Sequence, residues 1–313
     1  MAPLSNRFSA NFSIEPSSEA VIEALESNGT RIDVPFEDGV TVWRQWGAGE
    51  PLVLIHGGGG SWLHWIRNIE ALSRHYRVLV PDLPGFGDSD VPSEQTATLR
   101  PGETNDIIPV AGAPIRSAPV DVLARILADA LQKLTGTQPI RVAGFSFGGA
   151  VASHLCARFG PLRIQHLVLC GSVGIGTQAF GQSLPLVSWR GATDRQAFRD
   201  IHRQNLSMLM IADPDNIDDL AIDVQSLSTG KTRLRRARRK ALGMTLLADA
   251  GINVDAIWGT RDPLLILAPE ALQEALRHVD RNAEVHLIEA AGHWVGYEAP
   301  ARFNATLLQL LAR

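Results

Sequence analysis

Five residues, Gly144-Phe145-Ser146-Phe147-Gly148, constrain the fold of this chain more than any other stretch. They read G-x-S-x-G. The apolar run Ile140-Arg141-Val142-Ala143 before them predicts a strand, and Gly149 to Ala157 after them predicts a helix. A sharp strand-to-helix turn lifts a serine hydroxyl clear of the backbone. Glycines flank it because a side chain would clash in so tight a bend. The same pentapeptide also occurs as an ordinary buried turn. The flanking strand and helix favour a nucleophile at Ser146.

The rest of the chain repeats the strand–helix alternation. Ser18 to Ser27 predicts a short helix. Arg31 to Phe36 and Val40 to Trp46 predict a hairpin turning at Glu37-Asp38-Gly39. Leu52 to Ile55 and Val78 to Val80 read as buried strands, with a helix over Trp62 to Ser73 between them. Then come a helix over Asp121 to Leu134, the Ser146 strand and helix, and a strand over His166 to Leu169. The rhythm breaks from about Gly171 to Ala248, which reads as helical and polar. It resumes with a strand over Val254 to Trp258, a helix over Glu270 to Val279, a strand over Glu284 to Ile288 and a helix over Ala301 to Leu311. Such alternation predicts an α/β fold with a mostly parallel sheet flanked by helices. The expected division is an N-terminal extension with a short helix (1–30), a first core part (31–170), a helical cap (171–248) and a second core part (249–313). The proline-bearing stretch Val91 to Ala118 is either a wall of the site or a surface loop.

Composition narrows the class. At 313 residues and 45% apolar, the chain can bury a large core without disulfides. The net charge of −4 gives no overall attraction to nucleic acid or anionic membrane. No apolar run is long enough for a membrane span, and Met1 to Glu15 lacks a secretory pattern, so a cytoplasmic location is expected. Cys156 and Cys170 read as buried free thiols, and no Cys/His spacing suits a metal. The expected partner is a small-molecule substrate, with no cofactor, metal, nucleic acid or membrane. Homo-oligomer formation stays open.

A serine hydroxyl needs a base, and the base needs an orienting group. Of nine histidines, His293 follows a predicted strand in Ala291-Gly292-His293-Trp294. Asp262 follows another in Trp258-Gly259-Thr260-Arg261-Asp262-Pro263. The order Ser146, Asp262, His293 is that of α/β-hydrolases. An oxyanion also needs preorganised donors. The template assigns the Phe147 amide, and His56-Gly57-Gly58-Gly59-Gly60 offers Gly58 as the second, with Gly59 a rival. His56 is expected to hold that loop. Among Phe145, Phe147, Trp62, Trp65, Met208, Met210 and Trp294, the residues expected against substrate are Trp62, Trp294, Phe145 and Phe147. The acidic stretch Asp213 to Asp223 and the basic stretch Lys231 to Lys240 read either as an entrance for anions or, preferably, as two helices with paired, solvated faces.

From about residue 31 onward the chain resembles the α/β-hydrolase superfamily. The resemblance rests on His56-Gly57-Gly58, Asp82-Leu83-Pro84-Gly85-Phe86-Gly87-Asp88-Ser89, Gly144 to Gly148, Trp258 to Asp262 and Gly292-His293. The segments Pro84 to Ser89 and Gly292-His293-Trp294 to Asn304 look like meta-cleavage product hydrolases, which cut a C–C bond beside a ketone. That resemblance implies a tryptophan after the catalytic histidine, matched by Trp294. It also implies a lid arginine that grips the substrate's acid. Alignment from Asp213-Pro214 puts Gln225 or its neighbours at that position. The departure favours an ester, thioester or amide over a C–C bond. Gly144 to Gly149 is also similar to the esterase-like cofactor-free haloperoxidases. The expectation is a serine esterase working through an acyl-enzyme. The alternatives are an amide or C–C hydrolase, or a non-catalytic small-molecule receptor on the same fold.

Overall fold

The computed structural model describes residues 14–98, 100, 107–108, 119–172, 184–234, 238–239 and 243–313. The chain opens with α1 (Pro16–Ser27) and the hairpin β1 (Thr30–Phe36) and β2 (Gly39–Trp46). β3 (Pro51–Ile55) follows, then a 3-10 turn at Trp62–Trp65, α2 (Ile69–Ser73) and β4 (Arg77–Pro81). Next come the short β5 (Ile107–Ile108), α3 (Val120–Thr135), β6 (Ile140–Phe145), α4 (Phe147–Phe159) and β7 (Ile164–Cys170). The insertion holds α5 (Arg195–Leu209), α6 (Asp219–Gly230) and the short β8 (Arg238–Arg239), followed by α7 (Gly243–Ala250). The chain closes with β9 (Val254–Gly259), α8 (Pro269–Arg277), β10 (Val285–Ile288), α9 (Val295–Glu298) and α10 (Pro300–Leu311).

Eight strands form one sheet in the order β1-β2-β4-β3-β6-β7-β9-β10. β2 runs antiparallel to β1 and β4, and every later pairing is parallel. β3 is buried along its length, as a strand covered on both faces must be. Leu123, Leu127, Val151, Leu155, Leu247 and Leu276 belong to the apolar cluster on one face. Ile69, Leu72, Leu307 and Leu310 belong to the other. The parallel strands therefore end side by side, and the loops leaving them share one edge.

Two expected elements differ. The helix expected over Trp62 to Ser73 is broken, because Asn68 is recruited away from the helix. Its side-chain amide donates to the Gly296 carbonyl at 2.9 Å and to Asn304 Oδ1 at 2.8 Å. In the basic stretch, the described Lys231 and Arg233 side chains bond to the loop at Gly87, Asp88 and Ser89. Lys231 reaches Asp88 at 2.6 Å, and Arg233 donates to the Gly87 and Ser89 carbonyls. Asp219 and Asp223 take Arg199, and Asp218 takes Arg67 and Tyr297. Arg235, Arg236 and Lys240 lie outside the described residues, as does most of Val91 to Ala118. Ile107–Ile108 pairs antiparallel with Arg238–Arg239. α7 ends beyond the expected cap boundary at 248, and its Leu247 joins the core cluster with α4. Cys156 and Cys170 are buried free thiols, and burial pushes both well above the usual thiol range. No described helix is long and apolar enough to cross a membrane.

Candidate active site

Ser146 stands between β6 and α4 with φ 51° and ψ −116°. This left-handed backbone makes the sharp turn that the sequence predicts. Its amide donates to the Cys170 carbonyl at 2.9 Å, and its carbonyl accepts from Gly149 N–H at 3.0 Å. The turn is thus pinned to the end of β7. Ser172 Oγ adds a bond to the Ser146 carbonyl at 3.4 Å.

Beyond β9 and β10 the loops bring Asp262 and His293 together. His293 Nδ1 lies 2.8 Å from Asp262 Oδ2, and both side chains are buried. The other carboxylate oxygen accepts from Leu264 N–H at 2.8 Å, which fixes the aspartate's rotamer. A carboxylate so held favours the proton on Nδ1, which leaves Nε2 able to accept one. The pair sits over the same strand ends as Ser146. The Phe145 ring is 5.0 Å from the His293 ring. Gly171, next to the carbonyl that holds the Ser146 amide, packs against both partners. A Cβ there would lie 3.3 Å from His293 Nδ1 and 3.4 Å from Asp262 Oδ2. This Cys170-Gly171-Ser172 junction was not among the expected site residues. A glycine directly after an apolar strand was the signal for it.

The glycine loop after β3 is held by His56, as expected. His56 Nε2 accepts from Leu83 N–H at 2.9 Å, and its Nδ1 contacts the Gly57 carbonyl at 2.7 Å. Burial lowers the pKa of His56 below its ordinary 6.5, the nearby Asp82 charge opposing, and the bond from Leu83 N–H requires an unprotonated Nε2. Phe147 is the first residue of α4.

The aromatic expectations divide. Phe145 lies beneath His293 and 5.3 Å from the His64 ring. Trp294 is buried, stacked on Tyr297 at 4.2 Å, with its indole N–H on the His64 carbonyl. It braces the His293 loop from the core side. Trp62 is drawn elsewhere. Its ring lies 5.5 Å from Trp46 with the Arg44 guanidinium 4.8 Å above it, and its amide donates to Asp82 Oδ1. Proximity in sequence to the glycine loop did not reveal that turn away. Asp82 explains it: its carboxylate also takes Arg44 at 3.2 Å and the Asp88 amide at 3.0 Å. Among the described residues no group of three or more His, Cys, Asp or Glu is arranged to hold a metal.

A mostly parallel sheet that delivers a strained serine and a buried His–Asp pair to one edge belongs among the α/β hydrolases. The family model described as alpha/beta hydrolase fold matches residues 50–213. The chain is a member of that family, and it is a hydrolase. It is 27% identical to a 2-hydroxy-6-oxononadienedioate/2-hydroxy-6-oxononatrienedioate hydrolase of Paraburkholderia phymatum, over 96% of this chain and 97% of that protein. A meta-cleavage product hydrolase of Pseudomonas fluorescens IP01 superposes with a TM-score of 0.67 at 22% identity, covering 90% of this chain and 97% of that one. A carboxylesterase of Bacillus subtilis superposes with a TM-score of 0.66 at 18% identity, covering 95% and 99%.

Proposed function

We propose that the protein hydrolyses a carboxylic ester or related acyl bond of a small, apolar or aromatic substrate through an acyl-enzyme. Ser146 attacks the carbonyl carbon. His293 accepts the serine proton and passes it to the leaving group. Asp262 orients His293 and stabilises its charged form. The Phe147 and Gly58 amides hold the oxyanion. His293 then takes a proton from water, which releases the acid and restores the serine. The buried 2.8 Å bond between His293 and Asp262, set over the strained Ser146 turn, carries this reading. Phe145 and Trp294 shape the floor and the side of the site rather than its opening. The segment 171–248, with α5 and α6, serves as the cap. The protein works in the cytoplasm on a small molecule, without nucleic acid or membrane.

The test is hydrolysis of p-nitrophenyl esters of increasing chain length. Ser146→Ala is expected to lower kcat by about 10⁴-fold or more while the fold persists, as loss of a triad nucleophile does. Retained turnover in that variant removes the mechanism. The chain-length profile sizes the acyl pocket.

A second reading, C–C hydrolysis of a vinylogous diketone acid, has one observation in its favour. The Paraburkholderia relative, named for such substrates, aligns over nearly the whole chain. Against it, α6 between Asp219 and Gly230 holds no arginine or lysine, and Gln225 lies there. Turnover of such an acid with no turnover of aryl esters would decide for it. A folded protein that turns over neither, and is not labelled by a serine-directed phosphonate, is a receptor.

A further inference from the structure

We propose that His64 is a positioning residue for the oxyanion loop, and the proposal rests on the serine-hydrolase reading above. The loop Gly57–Gly60 passes directly over the nucleophile's turn. A Cβ on Gly57 would lie 3.2 Å from Ser146 Cβ and 3.0 Å from the Phe145 ring. At that distance the aim of one peptide plane decides where its N–H falls relative to the reacting carbonyl.

Both peptide planes that meet at Gly57 are held, each by a histidine. The Gly57 carbonyl accepts from Gly60 N–H at 3.2 Å and contacts His56 Nδ1 at 2.7 Å. Across a trans peptide the next N–H points opposite to the carbonyl, so these bonds set the direction of the Gly58 N–H. The Gly57 N–H in turn donates to His64 Nδ1 at 3.2 Å. A backbone N–H can only donate. Nδ1 is therefore the unprotonated nitrogen, and the His64 proton sits on Nε2. The imidazolium form has no acceptor for this bond.

His64 is placed to transmit order between the catalytic loops. It lies on the 3-10 turn Trp62–Trp65 and is buried. Its ring contacts Phe145 at 5.3 Å and Trp294 at 5.2 Å, the residues beside the nucleophile and beside His293. Its own carbonyl accepts the Trp294 indole N–H at 2.8 Å. Residue 60 is glycine because the ring occupies the space of a side chain: a Cβ there would fall 2.2 Å from His64 Cε1. Without the Nδ1 acceptor the buried Gly57 N–H loses its partner, and its peptide rotates to find another.

The experiment compares wild type, His64→Leu and His64→Asn on a p-nitrophenyl ester, with tautomer assignment by imidazole nitrogen NMR. Asparagine Oδ1 takes roughly the place of Nδ1 and can accept from Gly57. His64→Leu is expected to lower kcat by roughly 10- to 100-fold with KM within about 3-fold, below the loss from removing an oxyanion donor outright. His64→Asn is expected to recover most of kcat. The wild-type spectrum is expected to show His64 protonated on Nε2. Three results overturn the proposal: wild-type kcat in His64→Leu, no recovery in a folded His64→Asn, or a proton on Nδ1. If His64→Leu does not fold, the asparagine variant and the spectrum still decide. Absence of Ser146-dependent turnover in wild type overturns the functional reading instead, and the Nε2 tautomer then still reports the loop contact.

Discussion

At φ 51° and ψ −116°, Ser146 holds a backbone shape that an L-residue keeps only under constraint. The constraint comes from the Cys170 carbonyl on one side and the Gly149 amide on the other. Relief of such strain is worth roughly 1–3 kcal/mol, and glycine's extra chain entropy costs about 0.5–1 kcal/mol. Ser146→Gly should therefore be inactive yet more stable, with Tm raised by roughly 2–4 °C for about 1 kcal/mol net. Ser146→Ala keeps the Cβ and the strain and should melt near wild type. Thermal unfolding of both variants checks this, and an equal or lower Tm in Ser146→Gly would show that the turn is unstrained. Ser146, Asp262 and His293 are proposed from sequence because each follows a short apolar strand, with Ser146 between Gly144 and Gly148, Asp262 before Pro263 and His293 after Gly292. His64 is not, because its part depends on the bond angle of one glycine amide. For Trp62 the chain shows which aromatic is near the glycine loop, but Asp82 and Arg44 decide where its ring goes.

Helix α5 places His202 inside the insertion, 1% exposed, between Phe198 and Trp189. Among the described residues neither ring nitrogen has a hydrogen-bond partner. Burial, with the Arg199 charge adding to it, pushes its pKa down from 6.5 to about 4. The unfolded chain thus binds this proton near pH 6.5, and the folded chain only near 4. Between those values unfolding takes up a proton, so stability falls as the pH falls through that window. His56, also lowered by burial, acts in the same direction. The His202 share is on the order of 3 kcal/mol by pH 4. His202→Phe should flatten the fall in Tm between pH 6.5 and 4, measured by circular dichroism, and an unchanged slope would discount this histidine. Most elements were readable from the chain because strands covered on both faces leave short apolar runs. The break between Trp65 and Ile69 was not, since the partner of Asn68 is Asn304, 236 residues away.

Across the molecule, α5 and α6 are tied to the rest at separate places. α1 docks against α6, and the Glu15 amide donates to Asp223 while Arg195 reaches Glu15. Ser228 meets Ser61 at 2.9 Å. Lys231 meets Asp88, whose carboxyl burial would raise but which the Lys231 and Arg44 charges hold well below the usual range. Arg233 clasps the carbonyls of the same loop. Paired substitution Lys231→Ala with Arg233→Ala should loosen this end. Limited proteolysis is expected to cut the 195–234 region several-fold faster while far-ultraviolet dichroism stays unchanged. Equal cleavage rates would mean that the other ties suffice.

The other end of the insertion is fastened differently. Glu298 accepts from Gly292 N–H at 2.6 Å, Ala212 N–H at 3.0 Å and Asp213 N–H at 2.8 Å, and the Trp294 amide donates to the Met210 carbonyl at 2.7 Å. Residues 210–213 and the loop that carries His293 are therefore a single stiff joint. If the insertion caps the site and His293 is the base, as proposed, movement of that joint carries the base with it, and admission of substrate and alignment of the proton relay vary together. A substitution there chosen to admit a bulkier acyl group would also detune the chemistry that is to act on it.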